Sequence, residues 1–207
     1  MWKWSQNELH EFTLIIFVKA ARSGTVKTRL AKDLGDEAAC AAYRQLVEDL
    51  LNHLGKLSKV ELHFTPKDSE LEIKRWLRQG WTLQPQGEGD LGTRLQKAFG
   101  TAFARGSKRV VIIGSDCPYI VAEDIRQAWA ALEENQIVIG PATDGGYWLI
   151  GLREEHPQLF TGISWSTNVV CETTLARAKA AGLRVKILRE LTDVDTAADW
   201  QQFLNQR

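Results

Sequence analysis

The stretch "KRVVIIGSD" (108–116) decides the fold. Its four consecutive aliphatic residues run straight into glycine, serine and aspartate. An apolar run of that length, closed by turn residues, reads as a strand buried on both faces, as in a parallel sheet covered by helices. In open sheets of that kind, ligands bind beyond the carboxyl ends of the strands. Asp116 therefore stands where a ligand is expected. Its alternative duty, capping the next helix, is weakened because Pro118 and Tyr119 intervene before that helix begins.

Outward from this strand, the same grammar repeats. "FTLIIFVK" (12–19) is a second continuous apolar run and marks the first strand. "GDEAACAAYRQLVEDLLNHL" (35–54) has helical spacing, with Asp36 and Glu37 at its positive end. "KVELHFT" (59–65) alternates like a strand, "SELEIKRWLRQG" (69–80) reads as a helix stopped by Gly80, and "WTLQPQ" (81–86) as a short strand. The turn "GEGDLG" (87–92) leads into the helix "TRLQKAFGTAFARG" (93–106). "VAEDIRQAWAALEEN" (121–135) is a helix ended by Asn135. "QIVIGPA" (136–142) and "YWLIGL" (147–152) are strands joined by "TDGG", a turn that favours an antiparallel pair. A helix ending at Gly182, the strand "RVKILRE" (184–190) and the closing helix "TAADWQQFLNQ" (196–206) complete the chain. Strand and helix alternate throughout. The expectation is one α/β domain over residues 1–207, with a mostly parallel sheet and one antiparallel excursion.

Composition narrows the function. The 207 residues are 44% hydrophobic, enough for a substantial core, and 26 basic residues balance 26 acidic ones. That balance argues against general affinity for nucleic acid or acidic membranes. No apolar run is long enough for a transmembrane helix, and the opening "MWKWSQNELHEF" has no secretory apolar core, so a cytoplasmic protein is expected. Cys40, Cys117 and Cys171 fit neither a zinc pattern nor a disulfide framework. Trp2 and Trp4, ahead of the first strand, suggest packing on the domain or on a second subunit, so a homo-oligomer is possible. Trp148 and Trp200 read as core.

The loops at the strand ends differ in charge. After the first strand come Lys19, Arg22, Lys27 and Arg29, with Gly24 among them and no acid. Later strand ends carry Asp116, Asp144 and the pair Asp193 and Asp195 of "LTDVDT". Converging, they would form a cationic cradle beside a carboxylate cluster. Its natural occupant is a phosphate with a divalent cation, because Mg²⁺ is commonly held by one or two carboxylates plus substrate phosphate.

Two motifs mislead. "GEGDLG" matches a dinucleotide fingerprint, but it follows a late, short strand and lacks the acid about 20 residues on. "SGTVKT" resembles the end of a phosphate-binding Walker loop but lacks the glycine before Lys27. No nucleophile elbow exists, and His10, His53, His63 and His156 stand beside no plausible nucleophile.

Taken together, "FVKAARSGTVKTRLAKDLG", "GEGDLGTRL", "VVIIGSDCPYI", "IGPATDGGYWLIGL", "ISWST" and "LTDVDTAADW" resemble, in this order and spacing, the DUF2064 family, the GT-A-like "transferase 1, radical-SAM/selenodomain-associated" group. Members are also called arsenosugar-biosynthesis glycosyltransferases. The layout is more distantly similar to phospholactate and phosphoenolpyruvate guanylyltransferases and to molybdenum-cofactor nucleotidyltransferases. The resemblance implies a three-layer, Rossmann-like nucleotide-diphosphosugar transferase fold, a nucleotide or nucleotide-sugar donor, a small-molecule acceptor, and Mg²⁺ or Mn²⁺. It implies that Gly24, Lys27 and Arg29 grip donor phosphates and that Asp116, Asp193 and Asp195 hold the metal. Asp90, Gly92 and Arg94 would frame the nucleotide. Asp144, Gly145, Gly146 and Tyr147, with Trp165 and Ser166, would seat the acceptor.

One departure bears on the reaction. Sugar-transferring members of the fold typically carry D-x-D at the strand end, whereas here the triplet is Gly114-Ser115-Asp116, which is more like the nucleotidyltransferases. Three readings therefore stand: metal-dependent nucleotidyl transfer to a phosphorylated or carboxylate acceptor, glycosyl transfer with Asp144 activating a hydroxyl, and a non-catalytic nucleotide-binding module.

Overall fold

A computed structural model describes residues 11–206. Its sheet has seven strands: β1 (Phe12–Lys19), β2 (Val60–Thr65), β3 (Thr82–Pro85), β4 (Arg109–Ile113), β5 (Ile137–Pro141), β6 (Tyr147–Leu152) and β7 (Val185–Ile187). Their order is β3-β2-β1-β4-β6-β5-β7. All pairs are parallel except those made by β6, which runs antiparallel between β4 and β5. The expected hairpin is present, and its second strand is also the partner of β4. Tyr147 at the start of β6 is thereby set near the carboxyl end of β4.

Seven α-helices flank the sheet: α1 (Thr28–Leu34), α2 (Asp36–Leu54), α3 (Glu70–Ile73), α4 (Leu91–Ala104), α5 (Ala122–Ala131), α6 (Val170–Ala180) and α7 (Ala197–Asn205). Alternate residues of each strand point to opposite layers. Leu14, Ile16 and Val18 of β1, with Val111 and Ile113 of β4, pack against α2 and α5. Ile15, Val110 and Ile112 pack against α4 and α6. Both faces are covered, which is why Val110 to Ile113 are all buried and why this strand is a continuous apolar run. The architecture is the three-layer α/β fold with a mostly parallel sheet and one antiparallel strand.

Two elements differ from expectation. Residues 69–80 do not form one helix. A 3₁₀ turn over Lys67–Ser69, the single turn α3 and a second 3₁₀ turn over Lys74–Trp76 end before Gly80. Ile73 and Trp76 bury themselves in the core at that spacing, and packing sets the local path. Second, Lys27 and Arg29 do not simply precede the helix that starts at 35. A further short helix, α1, begins at Thr28 with Lys27 as its N-cap. Trp148 is buried and Trp200 is half-buried against the core, while Trp2 and Trp4 lie outside the described residues. No helix among the described residues is long and apolar enough to cross a membrane.

Candidate active site

The carboxyl ends of β1 and β4, the start of α4, the start of β6 and the loop before α7 enclose a pocket of about 640 Å³. Of the predicted residues, Lys27, Arg29, Asp90, Arg94, Asp116, Tyr147, Ser166, Asp193 and Asp195 line it. The basic first loop and the later carboxylates do converge.

Lys27 is the centre of the charged end. Its side chain is only 2% exposed, and its Nζ lies 2.6 Å from Asp116 Oδ1 and 2.9 Å from Asp195 Oδ1. Burial alone would lower its pKa, but the two carboxylates outweigh that and hold the ammonium above its ordinary range. The residue adopts a left-handed backbone, φ 49°, which a β-carbon disfavours. Arg29, on the first turn of α1, reaches Asp195 Oδ2 at 3.6 Å and is otherwise open. Asp116 leaves half its side chain exposed to the pocket. It does not cap α5, whose N-cap is Val121, with the Val121 N–H bonded by Asp124.

The segment "TDVDT" is stitched between two strand ends. Val194 N–H donates to Asp116 O, Thr143 N–H donates to Leu191 O, and Thr196 caps α7 in a reciprocal pair with Asp199. Asp195 thus stands beside the N-cap and keeps both carboxylate oxygens for the pocket. Burial, with Asp116 next to it, pushes Asp193 up to about 7. Among the described residues, no three His, Cys, Asp or Glu side chains gather into a group that could hold a metal ion alone. The donor set fits a cation that completes its shell with phosphate oxygens, as Mg²⁺ commonly does, and does not fit an all-protein cage.

The remaining motif residues are held differently. Asp90 is the N-cap of α4, bonding Thr93 N–H, which holds its carboxyl below the usual range. Arg94 donates to Gly89 O and to Gln86 Oε1, and Gln86 in turn bonds Val18 O and His63 O. Gly92 lies outside the pocket lining. A β-carbon there would sit 2.4 Å from Phe160 O and 3.0 Å from the Trp165 ring, so Gly92 and Trp165 pack on each other. Asp144 Oδ1 accepts from Gly146 N–H, closing the β5–β6 turn. Gly145, at φ 87°, leaves no room for a β-carbon, which would be 2.0 Å from Asn168 O. Gly24 supplies a left-handed turn, φ 76°, beside Asp36. None of Gly24, Gly92, Asp144, Gly145, Gly146 and Trp165 lines the pocket.

Lys19, one of the four first-loop cations, lines the pocket, is exposed, and makes no ion pair among the described residues. Arg22 instead pairs with Asp68 and Glu72 away from the pocket. The Tyr43 hydroxyl accepts from Lys19 N–H and is bonded to Ser115 Oγ, tying β1 to the residue before Asp116. Phe17, Val18, Leu95, Ile112 and Ile150 form an apolar wall. Burial pushes the Cys117 thiol up to about 12, leaving no reactive thiolate in the lining.

The fold is that of the nucleotide-diphospho-sugar transferases, and the relatives of the chain make it a transferase. The chain belongs to the DUF2064 family, described as an uncharacterized protein conserved in bacteria, whose family model matches residues 51–167. It is 26% identical over 192 residues to a phosphoenolpyruvate guanylyltransferase from Sphaerobacter thermophilus, covering 92% of each chain. A crystal structure from Desulfovibrio desulfuricans G20, assigned as a nucleotide-diphospho-sugar transferase, superposes with a TM-score of 0.88 at 36% identity, over 95% of this chain and 87% of that one. A manganese complex of the Rv0371c protein of Mycobacterium tuberculosis H37Rv shares the fold, with a TM-score of 0.57 at 13% identity over 95% and 100% of the two chains.

Proposed function

We propose that the protein is a metal-dependent nucleotidyltransferase acting on a small phosphorylated or carboxylate acceptor. The observation that carries this reading is the meeting of Asp116, Asp193 and Asp195 with Lys27 and Arg29 in one pocket. A cluster of both signs suits a phosphate chain together with a divalent cation. Asp116, with Asp193 or Asp195, would hold Mg²⁺ or Mn²⁺. When bound, the metal supplies neutralisation of charge on the donor's phosphate oxygens.

In the reaction, an acceptor oxygen forms a bond to the donor's α-phosphorus. The bond from that phosphorus to the bridging oxygen of the β-phosphate breaks, and pyrophosphate leaves with the electron pair. An acceptor that is already an anion has no proton to lose, so no general base is needed. Arg29 and Lys19 present positive charge to the phosphates without a tight carboxylate partner, and Arg29 can do so with a bidentate fork. Lys27 adds its charge at the point where the metal ligands meet. Tyr147, Ser166 and the apolar wall are left for the acceptor or the base.

Glycosyl transfer from a nucleotide sugar is the second reading, favoured by the 36% identity to a protein assigned as a nucleotide-diphospho-sugar transferase. It needs a base for the acceptor hydroxyl. Asp144, the candidate, accepts from Gly146 N–H through Oδ1 and lies outside the pocket lining, which weakens that reading. The discriminating experiment is incubation with each nucleoside triphosphate, Mg²⁺ and a panel of phosphorylated and carboxylate acceptors. Pyrophosphate release with formation of a nucleotidylated acceptor is expected. Consumption of a nucleotide sugar with no pyrophosphate from any triphosphate would overturn the proposal. Nucleotide binding unaffected by Mg²⁺ or by Asp116→Ala, with no turnover, would leave a binding module.

A further inference from the structure

Lys27 places a cation where the proposed reaction needs a metal. Its ammonium bridges Asp116 and Asp195, at 2.6 and 2.9 Å, and its side chain is closed to solvent while Asp116 is half open. Asp116 Oδ1 and Asp195 Oδ1, the oxygens that face each other across the ammonium, cannot serve both cations. Mg²⁺ demands oxygens at about 2.0–2.1 Å in near-octahedral order, and an ammonium in that space would repel it. Expelling a buried ammonium with nothing to receive it leaves an unpaired charge, which is strongly unfavourable. A donor phosphate in the same pocket provides the receiving anion.

Resting on the nucleotidyl-transfer reading, we infer that Lys27 is a resident counter-cation that must leave Asp116 and Asp195 before a divalent metal binds there. Metal binding therefore waits for the donor. The lysine acts as a lock that couples the two ligands: metal alone binds weakly, and metal and nucleotide bind together. The coupling is reciprocal, so nucleotide alone is weakened by the same factor. The left-handed backbone of Lys27 at the start of α1 is part of the device, because it aims the side chain inward at a strand end instead of outward along the helix.

The test is titration of the protein with Mn²⁺ alone, followed by loss of the free-ion electron paramagnetic resonance signal. Wild type is expected to bind weakly, and Lys27→Met at least tenfold tighter. Melting temperatures give a second readout. In wild type, Mn²⁺ alone should shift the transition little, and Mn²⁺ with GTP or CTP more than the two separate shifts combined. In Lys27→Met, Mn²⁺ alone should raise the transition. If that variant does not fold, Lys27→Gln keeps a donor for the carboxylates without the charge and is measured in its place. Mn²⁺ binding by wild type that depends on Asp116, with no gain in the lysine variants, would overturn the lock and leave the metal site standing. No Mn²⁺ binding by wild type or either lysine variant, with or without nucleotide, would overturn both.

Discussion

At one end of the pocket, Lys27, Asp116 and Asp195 hold opposite charges within hydrogen-bond distance of one another. Outside the lining, Gly92 and Gly145 press on Phe160, Trp165 and Asn168, with no space for a methyl group. Both regions carry the motifs by which the sequence announces itself, yet they work by different physics. The charged end is open, and its carboxylates are held by a buried ammonium that leaves half of Asp116 exposed. The glycine region is shaped by packing; Asp144 closes a turn there outside the lining, while Asp90 and Arg94 hold the start of α4 and still line the pocket. A motif residue can thus be essential to the pocket's outline without ever touching what the pocket holds.

The largest effect is expected at the charged end. Asp116→Asn should lower turnover per folded molecule by about 10³-fold, as loss of a group that organises transition-state charge does. A large loss of stability with near-normal turnover of the folded fraction would reverse the assignment of the two regions. The close-packed glycines should respond the opposite way. Gly145→Ala forces a β-carbon to 2.0 Å from Asn168 O at φ 87°, and should cost about 3 kcal/mol of stability, roughly 10 °C in melting temperature. Denaturant unfolding measures the loss, and turnover per folded molecule should stay within a few-fold of wild type.

A smaller effect separates the cations of the first loop. Lys19→Ala should raise the donor KM about tenfold, the size of one charge-assisted contact, and Arg22→Ala should leave it unchanged because that guanidinium serves Asp68 and Glu72. Steady-state kinetics at fixed salt tests both. The smallest concerns pH. The Asp193 carboxyl is raised in the fold to about 7, above its unfolded value of about 3.9, so the stability it contributes is complete below the lower value and is lost as pH rises through the upper one. Metal-free wild type should therefore lose more stability between pH 5 and pH 8 than Asp193→Asn, and urea unfolding at the two pH values reads the difference.

The strands were legible because strands covered on both faces must be apolar throughout, and "FTLIIFVK" and "RVVII" are. The antiparallel strand was legible from the turn chemistry of "TDGG". Helix α1 was not, since its seven residues are mostly polar and its N-cap is a left-handed lysine. The break in residues 69–80 was equally hidden, because the packing of Ile73 and Trp76 sets it. In the site, sign and position of charge could be read along the chain, but pairing could not. Only the fold shows that Lys27 is held by two aspartates, that Lys19 makes no ion pair among the described residues, and that Tyr43 braces Ser115. The glycines of "GEGDLG" and "DGG" declared that something approaches closely, and the fold shows that the neighbours are Phe160, Trp165 and Asn168.

The most direct test of the charged end as the reactive end is a crystal of the protein with Mn²⁺ and a non-hydrolysable GTP or CTP analogue. The expected result is an anomalous peak bonded to Asp116 and to Asp193 or Asp195, with the donor phosphates beside it and Lys27 turned from the aspartates to a phosphate oxygen. Phosphates bound elsewhere, or an anomalous peak that does not touch Asp116, would contradict it.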